Sequence, residues 1–185
     1  MLQPFGLFKL YNVWAFVTAC YAPRSIFGVL MILFFAMWAG AMEKEMGTAW
    51  FAMFFTMIHV MIQLVFLVEA FLFSFVSPYA WWSVSCGIWP MYFWVMTADA
   101  FRNPNQPQNL CCFPVQIKQI FCPFIWLALF TFMSGWDCLP MWAGFFVGIA
   151  DSMDLLGFLR PSASCSESIE NSVCSCVKNR DEFVK

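Results

Sequence analysis

Runs of roughly 18 or more apolar residues recur along this chain, and each is long enough to cross a hydrocarbon layer about 30 Å thick. A backbone placed in lipid must satisfy its own hydrogen bonds, so runs of this length are read as helices. Hydrophobic residues make up 62% of the sequence and charged residues 11%, whereas an ordinary globular domain has about 45–50% and about 25%. Five spans are expected, at about 25–42, 49–76, 79–100, 113–134 and 141–159. The breaks fall at Glu43-Lys44-Glu45 with Gly47-Thr48, at Ser77-Pro78, in the polar stretch around Asn103-Pro104-Asn105, and at Gly135. Pro90 and Pro123 lie inside spans and predict kinks. The expected fold is all-α, a polytopic transmembrane helical bundle. Residues 1–24 read as an interfacial segment rich in Phe, Tyr and Trp, 25–159 as the bundle, and 160–185 as a polar Cys- and Ser-rich tail.

Charge fixes an expected orientation. With five spans, the turn at 43–48, the loop near Arg102 and the tail share one side. That side carries Lys44, Arg102, Lys118, Arg160, Lys178, Arg180 and Lys185, against Lys9 and Arg24 on the other. Basic loops stay in the cytosol, so the tail is expected there. The net charge of -2 and the scattered bases do not suggest nucleic-acid binding. Nine cysteines are present, but no matched pair of Cys-X-X-Cys elements, so neither a metal site nor a cofactor is expected. Cys86 and Cys122 read as small packed hydrophobes. Cys165, Cys174 and Cys176 follow the last span and are candidates for acylation.

Polar side chains inside a span cost about 2.5–3.5 kcal/mol each on insertion scales, so each needs a reason. His59, Gln63 and Glu69 fall in the second span, the first two on a shared helical face. One reading is a proton or ion path. The plainer one bonds His59 and Gln63 to neighbouring helices and leaves Glu69 near the headgroups. Asp151 and Asp154 are expected to be wetted at the end of the last span. Gly144 and Gly148 form a Gly-X-X-X-Gly stripe suited to close helix approach, and Ala36 with Gly40 offers a similar stripe in the first span.

The order of these elements resembles the rhomboid superfamily. Trp14-Ala15-Phe16-Val17-Thr18 resembles the Trp-Arg-X-X-Thr stretch of the first rhomboid loop, with Ala15 where the family carries arginine. Glu43 through Gly47-Thr48 resembles the family's Glu-X-X-X-Gly-Ser or Thr element. Cys86-Gly87 stands where active members carry Gly-X-Ser-Gly, with Ser85 the alternative nucleophile if the register slips by one. Gly144 and Gly148 match the glycine pair that follows the family's catalytic histidine, and the histidine position itself is Met141. The resemblance covers about residues 11–159. It is nearest to the rhomboid-like proteins of the endoplasmic reticulum that carry a ubiquitin-associated domain, and more distant from derlins. The family usually carries an additional first span before that loop and a ubiquitin-associated domain after the bundle; the sequence given opens at the loop, and its tail after Arg160 is expected to be too short for that domain.

The departures decide the expected function. Rhomboid proteolysis needs a nucleophile and a base within hydrogen-bond reach. A methionine thioether accepts no proton at that task, and the chain's one histidine, His59, lies on another span. The resemblance therefore implies a pseudoprotease: a non-catalytic membrane adaptor that binds lipids and the transmembrane segments of client or partner proteins, in protein quality control or trafficking of the endoplasmic reticulum. Two rival expectations are a small transporter or proton-conducting subunit built on His59, Gln63 and Glu69, and a structural subunit of a larger membrane complex.

Overall fold

The computed structural model describes residues 47–109 and 116–157 continuously, preceded by residues 4, 15–18, 28, 29, 32, 33, 35, 36, 39, 40, 43 and 44. The described chain is mostly helical. A short helix, α1, covers Ala15–Thr18. The described positions between 28 and 44 are also helical. The long helix α2 runs Thr48–Ser74. A 3-10 turn, Pro78–Trp82, leads through an extended stretch to α3, Trp89–Arg102. Two short strands, β1 Pro107–Asn109 and β2 Gln116–Lys118, pair antiparallel with Gln108 opposite Ile117. The 3-10 turn Gln119–Phe121 opens α4, Cys122–Ser134, and a second turn, Gly135–Cys138, opens α5, Leu139–Ser152.

Proline position accounts for the starts of three helices. Pro90, Pro123 and Pro140 each sit in the first turn of a helix, where the missing N–H would have had no intrahelical partner and the fixed φ favours the helix. Pro90 and Pro123 therefore begin α3 and α4 and do not kink longer spans. This corrects two expected boundaries. The third stretch is a 14-residue helix preceded by a 3-10 turn and extended chain, and the fourth becomes α-helical only at Cys122, after the hairpin strap. Among the described residues, two stretches are long and apolar enough to cross a membrane, Trp50–Ser74 and Gln119–Ser152. The second is folded back on itself. Gly135 adopts φ 55 and ψ −127, the left-handed side of the map that favours glycine. The Trp142 indole donates to Thr131 Oγ1 at 3.1 Å, and the Phe124 and Phe145 rings lie 5.1 Å apart.

Helices α2, α3 and α5 meet along one core, and α4 packs against α3 and α5 in a second cluster of Phe93, Leu127 and Phe145. On α2, Phe54, Ile58, Ile62, Phe66 and Ala70 recur every four residues and are buried, which is the period of one helix face. The Phe54 and Trp94 rings meet near the start of α2, and those of Phe73 and Trp136 near its end, so α2 runs antiparallel to α3 and α5. α3 and α5 run parallel and touch most closely. A β-carbon on Gly144 would overlap the Pro90 carbonyl oxygen, and one on Gly148 would lie 2.7 Å from Thr97 Cβ and from the Trp94 carbonyl oxygen. Only hydrogen fits at these contacts. The other expected small-residue stripe packs differently. Ala36 is exposed, and a β-carbon on Gly40 would meet nothing within 4 Å. Among the described residues, then, no close helix approach uses that pair, which corrects its assignment as a packing stripe.

Candidate binding cleft at the converging helix ends

At one end of the bundle the chain leaves α2, returns through Ser83–Ile88 to α3, and turns from α4 into α5. A cavity of about 430 Å³ opens there, lined by Val84, Cys86, Gly87, Trp89 and Pro90 from the approach to α3, Met133, Ser134 and Asp137 from the α4–α5 turn, Pro140 and Met141 from α5, and Gly28. The local sequence builds its floor. Gly87 has φ 75, which a residue with a β-carbon rarely adopts, and this turn presents Cys86 to the cavity just before Trp89 begins the helix. Cys86, Gly87 and Met141, 54 residues apart in sequence between the glycine and the methionine, thus share one cleft. Ser85, the alternative nucleophile, is buried, its hydroxyl has no hydrogen-bond partner among the described residues, and it does not line the cleft.

The cleft's lining contains no imidazole. Among the described residues its ionisable side chains are the Cys86 thiol and the Asp137 carboxyl. His59 lies within α2, and its partner is its own helical neighbour: Gln63 Nε2 donates to His59 Nε2 at 3.3 Å. The expected bonds from His59 and Gln63 to other helices are thus replaced by a bond between the two. His59 Nδ1 and Gln63 Oε1 lack partners among the described residues, as do both carboxyl oxygens of Glu69. Glu69 is only 7% exposed, so it is enclosed by protein. The cleft does not include any of these three residues.

At the opposite end, the Glu43–Thr48 turn is closed by its own polar groups. The Gly47 N–H donates to the Glu43 carbonyl at 2.8 Å, and Thr48 Oγ1 donates to Glu43 Oε1 at 2.7 Å. Gly47 takes φ 87. The Glu, Gly and Thr of this element therefore have distinct structural tasks, and they start α2. Trp14 and the tail cysteines Cys165, Cys174 and Cys176 lie outside the described residues, or have side chains outside them.

Asp151 corrects another expectation. It is 3% exposed, and Arg102 Nη2 donates to its Oδ2 at 3.0 Å and to its carbonyl at 3.3 Å. Asp151 is therefore not wetted. It joins the C-terminal ends of α3 and α5, while Asp154 is exposed with φ 59. A lone acidic residue inside an apolar run was the available signal, since such groups are usually paired. Its partner at the end of another span was not evident from spacing. No cluster of three metal-ligating side chains occurs among the described residues. No family model matches the chain, and no curated protein or solved structure matches it either.

Proposed function

We propose that this chain is a multi-pass, rhomboid-like membrane adaptor without protease chemistry, which binds transmembrane segments of client or partner proteins in the quality control or trafficking of the endoplasmic reticulum. The observation that carries the reading is the shared cleft of Cys86, Gly87 and Met141. In the resemblance these positions belong to nucleophile and base, and here a thioether stands in place of the base. Among the described residues the lining beside Cys86 offers the Asp137 carboxyl but no imidazole or cation that would hold the thiol as its reactive thiolate. The membrane setting is supported by apolar surface on the outside of the bundle: Val68 and Leu72 on α2, and Phe132 at 92% exposure on α4. A helix that is apolar on all sides suits lipid better than water. Phe75, Val76, Tyr79 and Trp82, exposed just beyond α2, suit the aromatic belt at a membrane–water boundary.

Gly144 and Gly148 are used up in internal packing, so client recognition falls to the cleft. Ser134, Asp137 and the backbone of the Gly87 turn line it beside Met133, Met141 and Trp89. That mixture suits a transmembrane segment with a locally unwound, polar stretch, whose N–H and C=O groups are costly to leave in lipid. A test uses two single-span peptides carrying a photocrosslinker, one with an Asn-Gly break and one of uninterrupted leucine, reconstituted with the full chain. Crosslinking to the cleft is expected for the broken peptide and should be lost in Met141→Trp, which fills the cavity. Equal crosslinking of both peptides would overturn the reading. In the same vesicles, the wild type and Cys86→Ala should both leave a generic rhomboid substrate intact. Cleavage by the wild type that disappears in Cys86→Ala would make Cys86 a nucleophile.

The same reading places the tail in the cytosol. A glycosylation acceptor appended after Lys185 is expected to stay unmodified in microsomes, and its modification would invert the topology.

A further inference from the structure

A second cavity, of about 280 Å³, lies at the Arg102 end of the bundle, opposite the cleft. Its lining includes Phe35, Tyr92, Val95, Asp99, Gln108 and Gln119. These come from the helical stretch before α2, from α3, and from the base of the β1–β2 strap. Asp99 is the ionisable carboxylate among them. It stands exposed at the rim and is held in place on both sides. Asn103 Nδ2 donates to Asp99 Oδ1 at 3.0 Å, and Gln119 Nε2 donates to Oδ2. Gln119 is itself buried, and its backbone N–H donates to the Gln106 carbonyl at 2.9 Å, so the strap fixes the wall. A carboxylate has about four acceptor positions. One bond at each oxygen leaves capacity for another donor.

We propose that this cavity binds an organic ammonium group, of the kind carried by a zwitterionic phospholipid headgroup or a free choline-type cation. The chemistry is that of an aromatic-lined cation site. Phe35 and Tyr92 supply ring surface, Val95 supplies apolar wall for methyl groups, and Asp99 supplies the opposing charge. The position fits a headgroup, because this end also carries the basic residues expected at the cytosolic surface. Lys118 is exposed, pairs with Pro107 in the strap beside Gln108, and immediately precedes Gln119. It is placed to meet a phosphate attached to the ammonium group. The proposal depends on the membrane setting and is independent of the cleft and of what the cleft binds.

The test uses the purified full chain in maltoside micelles, with retained lipid read by native mass spectrometry. Phosphatidylcholine and phosphatidylglycerol of identical acyl chains are offered together. The wild type is expected to retain phosphatidylcholine about tenfold over phosphatidylglycerol, the scale set by a cation–π contact combined with a carboxylate. Asp99→Asn should remove that preference. Because this variant also alters the Asn103 and Gln119 bonds, Tyr92→Leu is the second variant, and it should reduce the preference with the Asp99 network intact. Choline chloride in excess identifies the source. Displacement of phosphatidylcholine shows that the ammonium group is recognised by itself, and persistence of an Asp99-dependent preference shows that the phosphate is needed as well. Equal retention of the two lipids by the wild type, or an unchanged preference in both variants, would overturn the proposal.

Discussion

Gly144→Ala is expected to destabilise the bundle by about 3 kcal/mol, at the upper end of the usual cost of overpacking. The new methyl group would overlap the carbonyl oxygen of Pro90. That atom belongs to the first turn of α3 and has no flexible side chain to yield. Either α3 and α5 separate or the start of α3 deforms, and both disturb the contacts that close the core. The better helix propensity of alanine offsets only about 1 kcal/mol of the cost. Gly40→Ala is the matched control, because its β-carbon meets nothing within 4 Å. It should leave stability unchanged or raise it by up to about 1 kcal/mol. Reversible unfolding in mixed micelles measures both. Equal stability of the two variants would show that α3 and α5 do not need their close approach.

Breaking the Arg102–Asp151 pair should reveal an asymmetry. Removing one partner of a buried pair costs about 3–5 kcal/mol when the other charge stays buried. Asp151 is 3% exposed on its side chain, but Arg102 is 45% exposed, so part of the pair is already hydrated. Arg102→Ala is therefore expected to cost about 2–3 kcal/mol, below the fully buried case. It deprives an enclosed carboxylate of its ion-pair partner and removes the bond to the Asp151 carbonyl. Asp151→Ala should cost about 1 kcal/mol, because the guanidinium it releases turns to water. The unfolding measurement above compares them. A larger loss in Asp151→Ala than in Arg102→Ala would contradict this account of the pair.

Some of this architecture was legible in the residue order, and the reasons differ by element. Helix α2 lies within two residues of its expected limits at each end, since an uninterrupted apolar run bounded by Gly47 and Ser77-Pro78 leaves little choice. The glycine stripe on α5 is visible from spacing, although its partner, α3, emerges only from the fold. The third and fourth stretches misled, because hydropathy counts apolar surface and is indifferent to backbone hydrogen bonding. Residues 79–88 are as apolar as a helix would be, yet a proline at each side, Pro78 and Pro90, sets them as a turn and an extended approach. Asp151 was misread for a different reason. Its partner stands 49 positions earlier, beyond the reach of any helical or strand period. The cleft was visible only as a set of family-like positions. That Cys86 and Met141 share a cavity follows from the parallel arrangement of α3 and α5, which local sequence does not encode.

That parallel arrangement also imposes an order of assembly. Two neighbouring helices that point the same way need a return segment between them, and here the return is the strap together with α4. Until α5 has been synthesised, α3 lacks the partner that covers Pro90, Trp94 and Thr97, and α2 lacks the neighbour that meets its far end at Trp136. A growing chain that had reached only Gly135 would leave those surfaces uncovered. Closure of the α2–α3 core thus waits on α5, the last described helix, and a defect in α5 would leave those two helices without the neighbour that covers them.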